Sequence, residues 1–313
     1  MKFVSFINKN IPSYGILIDD SKKIVDINKL SINEFPTDML TFLQNFDFNL
    51  KKITKILNDS IVNQAICSIN SVELCAPILN PTSFRDAYAF RKHVEAGRKN
   101  RGLEMIAEYD KFPVFYFSNH NSISGPGDVY VQKKHLNKLD FEFEIAIVIG
   151  KKGINISSSN AYKYVAGFLI MNDWSARFMQ FEEMKLNLGP AKGKDFATSI
   201  GPFLVTLNEL EENLVTNKNN LLYNLEMKGY VNDKLVSQDN LKEMSWSFAD
   251  IIERASYGVE LIPGDIIGSG TCATGCFLEL NLTNNTDVWL KDGDVVELHV
   301  DKLGVLKNTI KLK

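Results

Sequence analysis

Beyond residue 102 the chain breaks into short apolar runs: PVFYF, VYV, FEFEIAIVIG, YVAGFLIM, GPFLVTL, NLLYNLEMKGYV, GDIIGSG, CFLELNL and DVVELHV. Gly, Asn and Asp turns separate them, so each run reads as a strand. Helices do not alternate regularly with them, which excludes a doubly wound sheet built from βαβ units. The pattern predicts a mainly β (α+β) architecture with a few helices at its rim. One of those helices is expected over FRDAYAFRKHVEAGRKNRG (84–102), which ends in glycine after a basic last turn.

Residues 1–75 carry a lighter pattern. KFVSFI, YGILI and IVDI read as strands, with turns at Asn8-Lys9-Asn10 and Asp19-Asp20. FLQNFDFNLKKITKILND has apolar residues at helical spacing and ends at Asn58-Asp59. The two prolines of APILNPTSF (76–84) mark a junction. A small β-rich N-terminal domain is therefore expected at residues 1–76 and a larger one at 77–313.

Charge and cysteine content remove several classes of function. The balance of 35 basic against 38 acidic residues gives −3, which excludes a strongly basic nucleic-acid binder but not a locally basic site for a small anion. No apolar run approaches the ~18 residues of a spanning helix. The N-terminus, MKFVSFINKNIPSYG, lacks a signal peptide's apolar stretch and cleavage site. Four cysteines in 313 residues are no disulfide framework, and 45% hydrophobic residues build a core without one. The expectation is a cytoplasmic protein with neither nucleic acid nor membrane as partner.

Several apparent motifs fail on spacing. GPAKGKD (189–195) is one residue short of a phosphate loop and has Asp195 where Ser or Thr belongs. GSGTCATG (268–275) lacks both the GxGxxG spacing and a βαβ setting. Cys272 and Cys276 have no second cysteine pair or histidine cluster in sequence range, which argues against zinc. His93-Val94-Glu95 is half a zinc-deaminase signature with no PCxxC after it, and no GxSxG elbow occurs.

FEFEIAIVIG (141–150) is the most informative stretch. In a strand, Glu142, Glu144, Ala146 and Val148 share one face, and that face turns apolar after Glu144. Two inward glutamates repel each other unless a cation joins them; an edge strand with its acids in water is the competing reading. In YVAGFLIMNDWSARFMQ (164–180), Asp173, Arg177 and Gln180 are spaced i, i+4, i+7 on one helical face. A capping Asp with a surface ion pair to Arg177 is the alternative there. Three carboxylates with no clustered His or Cys suit Mg²⁺, Ca²⁺ or Mn²⁺ rather than zinc or copper.

The ordered set FEFE…MNDWSAR…GKDFATSIGPF…GSGT…LEL resembles the fumarylacetoacetate hydrolase family from about Phe84 to the C-terminus. The resemblance implies a mixed β-sandwich roll, a homodimer, a divalent cation with Mg²⁺ first, and a small anionic β-diketo or 2-oxo acid substrate. It assigns Glu142, Glu144 and Asp173 as metal carboxylates. From the segment Arg85-Asp86-Ala87-Tyr88 onward it adds Asp86 as fourth ligand, Tyr88 as a substrate contact and His93 as catalytic base. Glu279, in what is expected to be a Leu-Glu-Leu strand, pairs with His93. Arg177, Gln180 and Thr271 fall at substrate-contacting positions, Lys194 beside the metal, and Thr198 in support of the metal ligands. Phe178 and Met184 depart from the pattern, standing where members carry Asp and where fumarylacetoacetase carries Tyr. Arg98 and Arg101 are only near the position of a further substrate arginine.

The function so implied is fumarylacetoacetase-like hydrolysis of a carbon–carbon bond, as in aromatic amino acid catabolism. His93, oriented by Glu279, would activate water, and Lys194 would stabilise the oxyanion. The alternatives are an isomerase, decarboxylase or hydratase of 2-oxo or 2-hydroxydienoate acids, or a metal-binding family member without activity.

Overall fold

A computed structural model describes residues 1–30, 35–99, 102–216 and 220–313. The N-terminal strands are β1 (Lys2–Asn8), β2 (Ile11–Ile18), β3 (Lys23–Asp26), β4 (Ile66–Ser68) and β5 (Glu73–Leu74), with helices α1 (Met39–Leu43) and α2 (Phe46–Ile56) between β3 and β4. The first turns fall where expected: Lys9, Asn10, Asp19 and Asp20 all have positive φ. Next come β6 (Ser83–Ala87), α3 (Arg91–Lys99), β7 (Phe115–Phe117), β8 (Ile123–Ser124), β9 (Gly127–Val131), β10 (Leu139–Asp140) and β11 (Phe143–Ile149). The central segment holds β12 (Val165–Asp173), β13 (Ser175–Ala176), α4 (Arg177–Met184) and β14 (Thr198–Val205). β15 (Glu226–Val231), β16 (Lys234–Asn240), α5 (Phe248–Ala255), β17 (Asp265–Gly268), α6 (Phe277–Asn284), β18 (Val295–Val300) and β19 (Gly304–Leu312) complete the chain.

Ten strands run in the order β4-β3-β2-β1-β14-β12-β11-β17-β6-β7, with β5 and β8 added at β1 and β14 to make twelve. A second sheet runs β16-β15-β18-β19-β9. Both are mixed: β6–β17, β8–β14 and β9–β19 are parallel, and the other ladders antiparallel. Neither closes into a barrel. β11 and β12 are buried on both faces, which explains their near-continuous apolar sequences. Ile145, Ile147, Phe168 and Ile170 pack toward the second sheet and α5, against Met227, Leu298, Leu306 and Phe248. On the opposite face Ala146, Val148, Leu169 and Met171 pack against Phe3, Phe42 and Phe46 of the N-terminal elements. β1 also hydrogen bonds directly to β14, Phe3 facing Leu204.

Three local expectations are corrected. The helix expected over 84–102 is a strand followed by a shorter helix, because residues 84–87 find a parallel partner in β17, and Phe84 and Asp86 become buried there. CFLELNL is helical rather than extended. Cys276 caps it, its sulfur accepting from the Glu279 amide, and Asn285 closes it in the left-handed conformation. Its leucines at 278 and 282 face a cavity, so helical i, i+4 spacing rather than alternation places them. Finally, Asp173 ends a strand, whereas Arg177 begins α4 behind Ala176, so the two do not share a helix.

Candidate active site

Strand parity assembles the site. Phe84 and Asp86 on β6, Val148, Ala146 and Glu144 on β11, and Leu169, Met171 and Asp173 on β12 each follow two-residue alternation. The apolar members belong to the core facing the N-terminal helices. The acidic members continue that face to the ends of the strands. Glu142 precedes β11 and is pinned by its backbone: its N–H donates to Asn172 Oδ1 at 3.0 Å, and its carbonyl accepts from Asp173 N at 3.1 Å. Asp86, Glu142, Glu144 and Asp173 thereby bring carboxylate oxygens within 4.8 Å of one another, all buried.

The chemistry of this cluster asks for a cation. Lys194 Nζ donates to Glu142 and, at 2.8 Å, to Asp173. Arg177 Nη2 lies 2.7 Å from Glu142 Oε1 but also 2.8 Å from Asp140. Among the described residues, Lys194 is thus the one cation in contact with the cage that is not shared with an acid outside it. Asp86 and Glu144 accept the same Gly270 N–H, at 3.1 and 3.0 Å. Burial and the charge of Asp173 push Asp86 up to about 7, and burial with Asp86 beside it pushes Glu144 well above the carboxylate range. Burial also opposes ionisation of Glu142, but Lys194 and Arg177 overcome it and hold that carboxyl at about 2. Oxygen donors in excess of their counter-charges fit a hard divalent ion such as Mg²⁺, Mn²⁺ or Ca²⁺.

Backbone without side chains lets the acids approach. A Cβ on Gly268 would stand 2.3 Å from Met171 Cε, 2.4 Å from Asp86 Oδ1 and 3.1 Å from Glu144 Oε2. Gly268→Ala should therefore splay Asp86 from Glu144, weaken calorimetric Mg²⁺ binding, and cost about 1–3 kcal/mol of stability as overpacking does. An unchanged Mg²⁺ isotherm and melting curve would show that the pair tolerates the methyl.

His93 on α3 and Glu279 on α6 meet across 186 residues of sequence, with Nδ1 2.7 Å from Oε2. Glu279 Oε1 accepts from Thr274 N at 3.0 Å, fixing the carboxylate. Both line a cavity of about 570 Å³ that also reaches Asp86, Tyr88, Glu142, Arg177, Gln180, Lys194 and Thr271. Tyr88 sits edge-on to His93 with ring centroids 5.9 Å apart. Arg177 Nη1 donates to Gln180 Oε1 at 2.9 Å. Thr198 Oγ1 donates to Asp173 at 3.3 Å and Thr271 Oγ1 to Glu144 at 3.4 Å, so Thr271 touches the carboxylate cage as well as the cavity. Every residue to which the resemblance assigns a role lies in this one region. Met184 lies on the cavity wall, Phe178 points outward, and Arg101 lies outside the described residues.

Two residues that contact the candidate site escaped the sequence reading. Tyr116 on β7 faces Asp86 across the sheet and donates its hydroxyl to Asp173. Asp140, fully buried, accepts from Phe277 N at 2.7 Å, Leu278 N at 3.0 Å and Arg177 Nε at 2.8 Å. It ties the start of α6, which carries Glu279, to the start of α4. The signal was present, because 140, 142 and 144 share parity, but a strand beginning at Phe141 hid it.

A family model described as fumarylacetoacetate (FAA) hydrolase C-terminal matches residues 82–311, a span that contains every residue of the cage and the cavity lining. The chain belongs to the fumarylacetoacetate hydrolase family. Among relatives of this family, the mitochondrial oxaloacetate tautomerase of Xenopus laevis is 30% identical over 99% of this chain and 90% of its own. The fold is shared with a probable 2-hydroxyhepta-2,4-diene-1,7-dioate isomerase from Mycobacterium abscessus (TM-score 0.73, 25% identity, covering 100% and 99% of the two chains). It is shared too with maleylpyruvate hydrolase from Sphingobium sp. SYK-6, solved with manganese and pyruvate (TM-score 0.72, 22% identity, covering 100% and 99%). The same fold thus occurs in a protein named as a probable isomerase and in one named as a hydrolase. No helix among the described residues is long and apolar enough to cross a membrane.

Proposed function

We propose that this chain is a divalent-metal-dependent tautomerase that moves a proton between carbon and oxygen of a small 2-oxo acid of the oxaloacetate type. The observation that carries this reading is the partly buried His93–Glu279 contact at 2.7 Å beside the carboxylate cage. Relatives named oxaloacetate tautomerases, matched over almost their whole length, support it. The family resemblance had favoured hydrolysis because a His–Glu pair activates water; the same pair serves equally to accept and return a carbon-bound proton.

Asp86, Glu142, Glu144 and Asp173 would hold a divalent cation, with Mg²⁺ or Mn²⁺ the best fit, and when bound it would supply Lewis acidity toward the substrate's oxo group. Glu279 keeps the His93 proton on Nδ1 and leaves Nε2 to act as base. His93 takes the proton from the carbon next to the carbonyl; the C–H pair becomes the new C=C bond, and the carbonyl pair moves onto oxygen. His93 then delivers that proton to the oxygen, completing the enol, and the reverse sequence makes the keto form. Glu279 stabilises the imidazolium in between. Lys194, whose ammonium is held by Glu142 and Asp173, offsets negative charge developing on the substrate.

A second reading rests on the cavity wall. Val114, Phe115, Phe181, Met184, Leu278 and Leu282 line it with apolar surface beyond what a four-carbon acid fills. That wall suits the acyl tail of a β-diketo acid, which would be cleaved by water activated at His93. The test is the loss of enol absorbance from freshly dissolved oxaloacetate, with dialysed protein and added Mg²⁺ or Mn²⁺. Metal-dependent acceleration is expected. No acceleration, with pyruvate released from acylpyruvates instead, would replace tautomerisation by hydrolysis.

A further inference from the structure

Cys276 has no part in the reaction just described, yet its sulfur, His93 nitrogen and Glu279 oxygen lie within 4.8 Å of one another. The cysteine spacing alone spoke against zinc because no histidine lay in sequence range. The fold brings one in from α3. Nitrogen, sulfur and oxygen from three side chains form a zinc donor set, unlike the oxygen-only cage beside it.

We infer that His93, Cys276 and Glu279 form a second cation site, selective for zinc, whose occupation removes the catalytic base. Three protein ligands leave a fourth position, and His93 and Glu279 both open onto the cavity, which gives the ion an entry path. Glu279 is already oriented by Thr274 N, as the outer contacts of metal ligands are. Tetrahedral zinc holds its ligand atoms about 3.3–3.7 Å apart. The His93–Glu279 pair at 2.7 Å must open slightly and the sulfur must approach, both within reach of side-chain rotation. Burial raises the Cys276 thiol well above its usual range, so the ion displaces the thiol proton to solvent when it binds. Because the zinc ligands are not the cage ligands, excess Mg²⁺ does not relieve the inhibition.

Only the inhibition rests on the proposed reaction; the site itself is read without turnover. The experiment titrates Mg²⁺-saturated full-length protein with cobalt(II) chloride as a spectroscopic stand-in. One equivalent should produce a thiolate-to-cobalt charge-transfer band that zinc chloride then abolishes. Cys276→Ser keeps a side chain able to accept the Glu279 amide, so α6 should remain capped and the melting curve unchanged. It should lose the band, and the zinc concentration that halves its turnover should rise on the order of 100-fold or more relative to wild type. Absence of the band in wild type overturns the site, as does equal zinc sensitivity in Cys276→Ser, which would place zinc on the carboxylate cage. A cobalt band in a protein that fails to tautomerise oxaloacetate would uphold the site and sink the proposed reaction.

Discussion

Glu142→Gln and Asp173→Asn each lose divalent-ion binding, and with it at least about 10³-fold in turnover, the equivalent of several kcal/mol of Lewis-acid stabilisation. These are the acids on which Lys194 converges, and Glu142 also engages Arg177. The amides preserve shape while removing the charge that holds the cation. Alanine would add a different effect. It takes one of two acids from buried Lys194, and in Glu142→Ala also one of two from Arg177, leaving a void and donors short of an acceptor, a loss of about 1–3 kcal/mol in stability. Calorimetric Mg²⁺ titration separates the two effects, because the amide variants should melt closer to wild type yet bind no ion. Wild-type Mg²⁺ affinity in both amide variants would mean that the four-acid cluster is not the cofactor site.

Glu279→Gln should lower turnover by on the order of 10²–10⁴, the usual worth of general-base assistance. The amide fits the same space between His93 and Thr274 but no longer fixes the imidazole tautomer or stabilises the imidazolium. Mg²⁺ affinity should stay at the wild-type value, since Glu279 is not among the cage carboxylates. The loss should appear in kcat more than in KM, because the interaction strengthens as the proton moves. Turnover close to wild type would place the base elsewhere in the cavity.

Much of this site was legible in the sequence. FEFE announced two acids on one strand face, and the apolar Ala146 and Val148 after them gave that face's direction. What local pattern did not hold was long-range pairing. Residues 84–87 look helical by composition and become a strand because β17 offers a parallel edge 182 residues away in Asp265↔Ser83. The Leu-Glu-Leu stretch alternates like a strand and becomes a helix, because Cys276 caps it locally and Asp140 accepts its first amides from far off in the chain. Tyr116 carries no signal at all without its partner strand, as a tyrosine among phenylalanines reads as packing. The residues were visible because side-chain chemistry is written locally; their supports were not, because those depend on which strands become neighbours.

The ladder between β1 and β14 bears on how this chain tolerates shortening. A chain begun at residue 77 would keep every residue of the cage and the cavity. It would also leave the β14 backbone around Leu204 unpaired, and it would bare Val148, Leu169, Met171 and Ile200 beside that open edge. An unprotected strand next to a wide apolar face is a template for neighbouring molecules. Sedimentation of such a fragment should show large self-associated species, and a single well-behaved species would show that the face closes on its own. The N-terminal strands then act as a built-in shield against oligomer growth, a role independent of any chemistry at the far end of the same sheet.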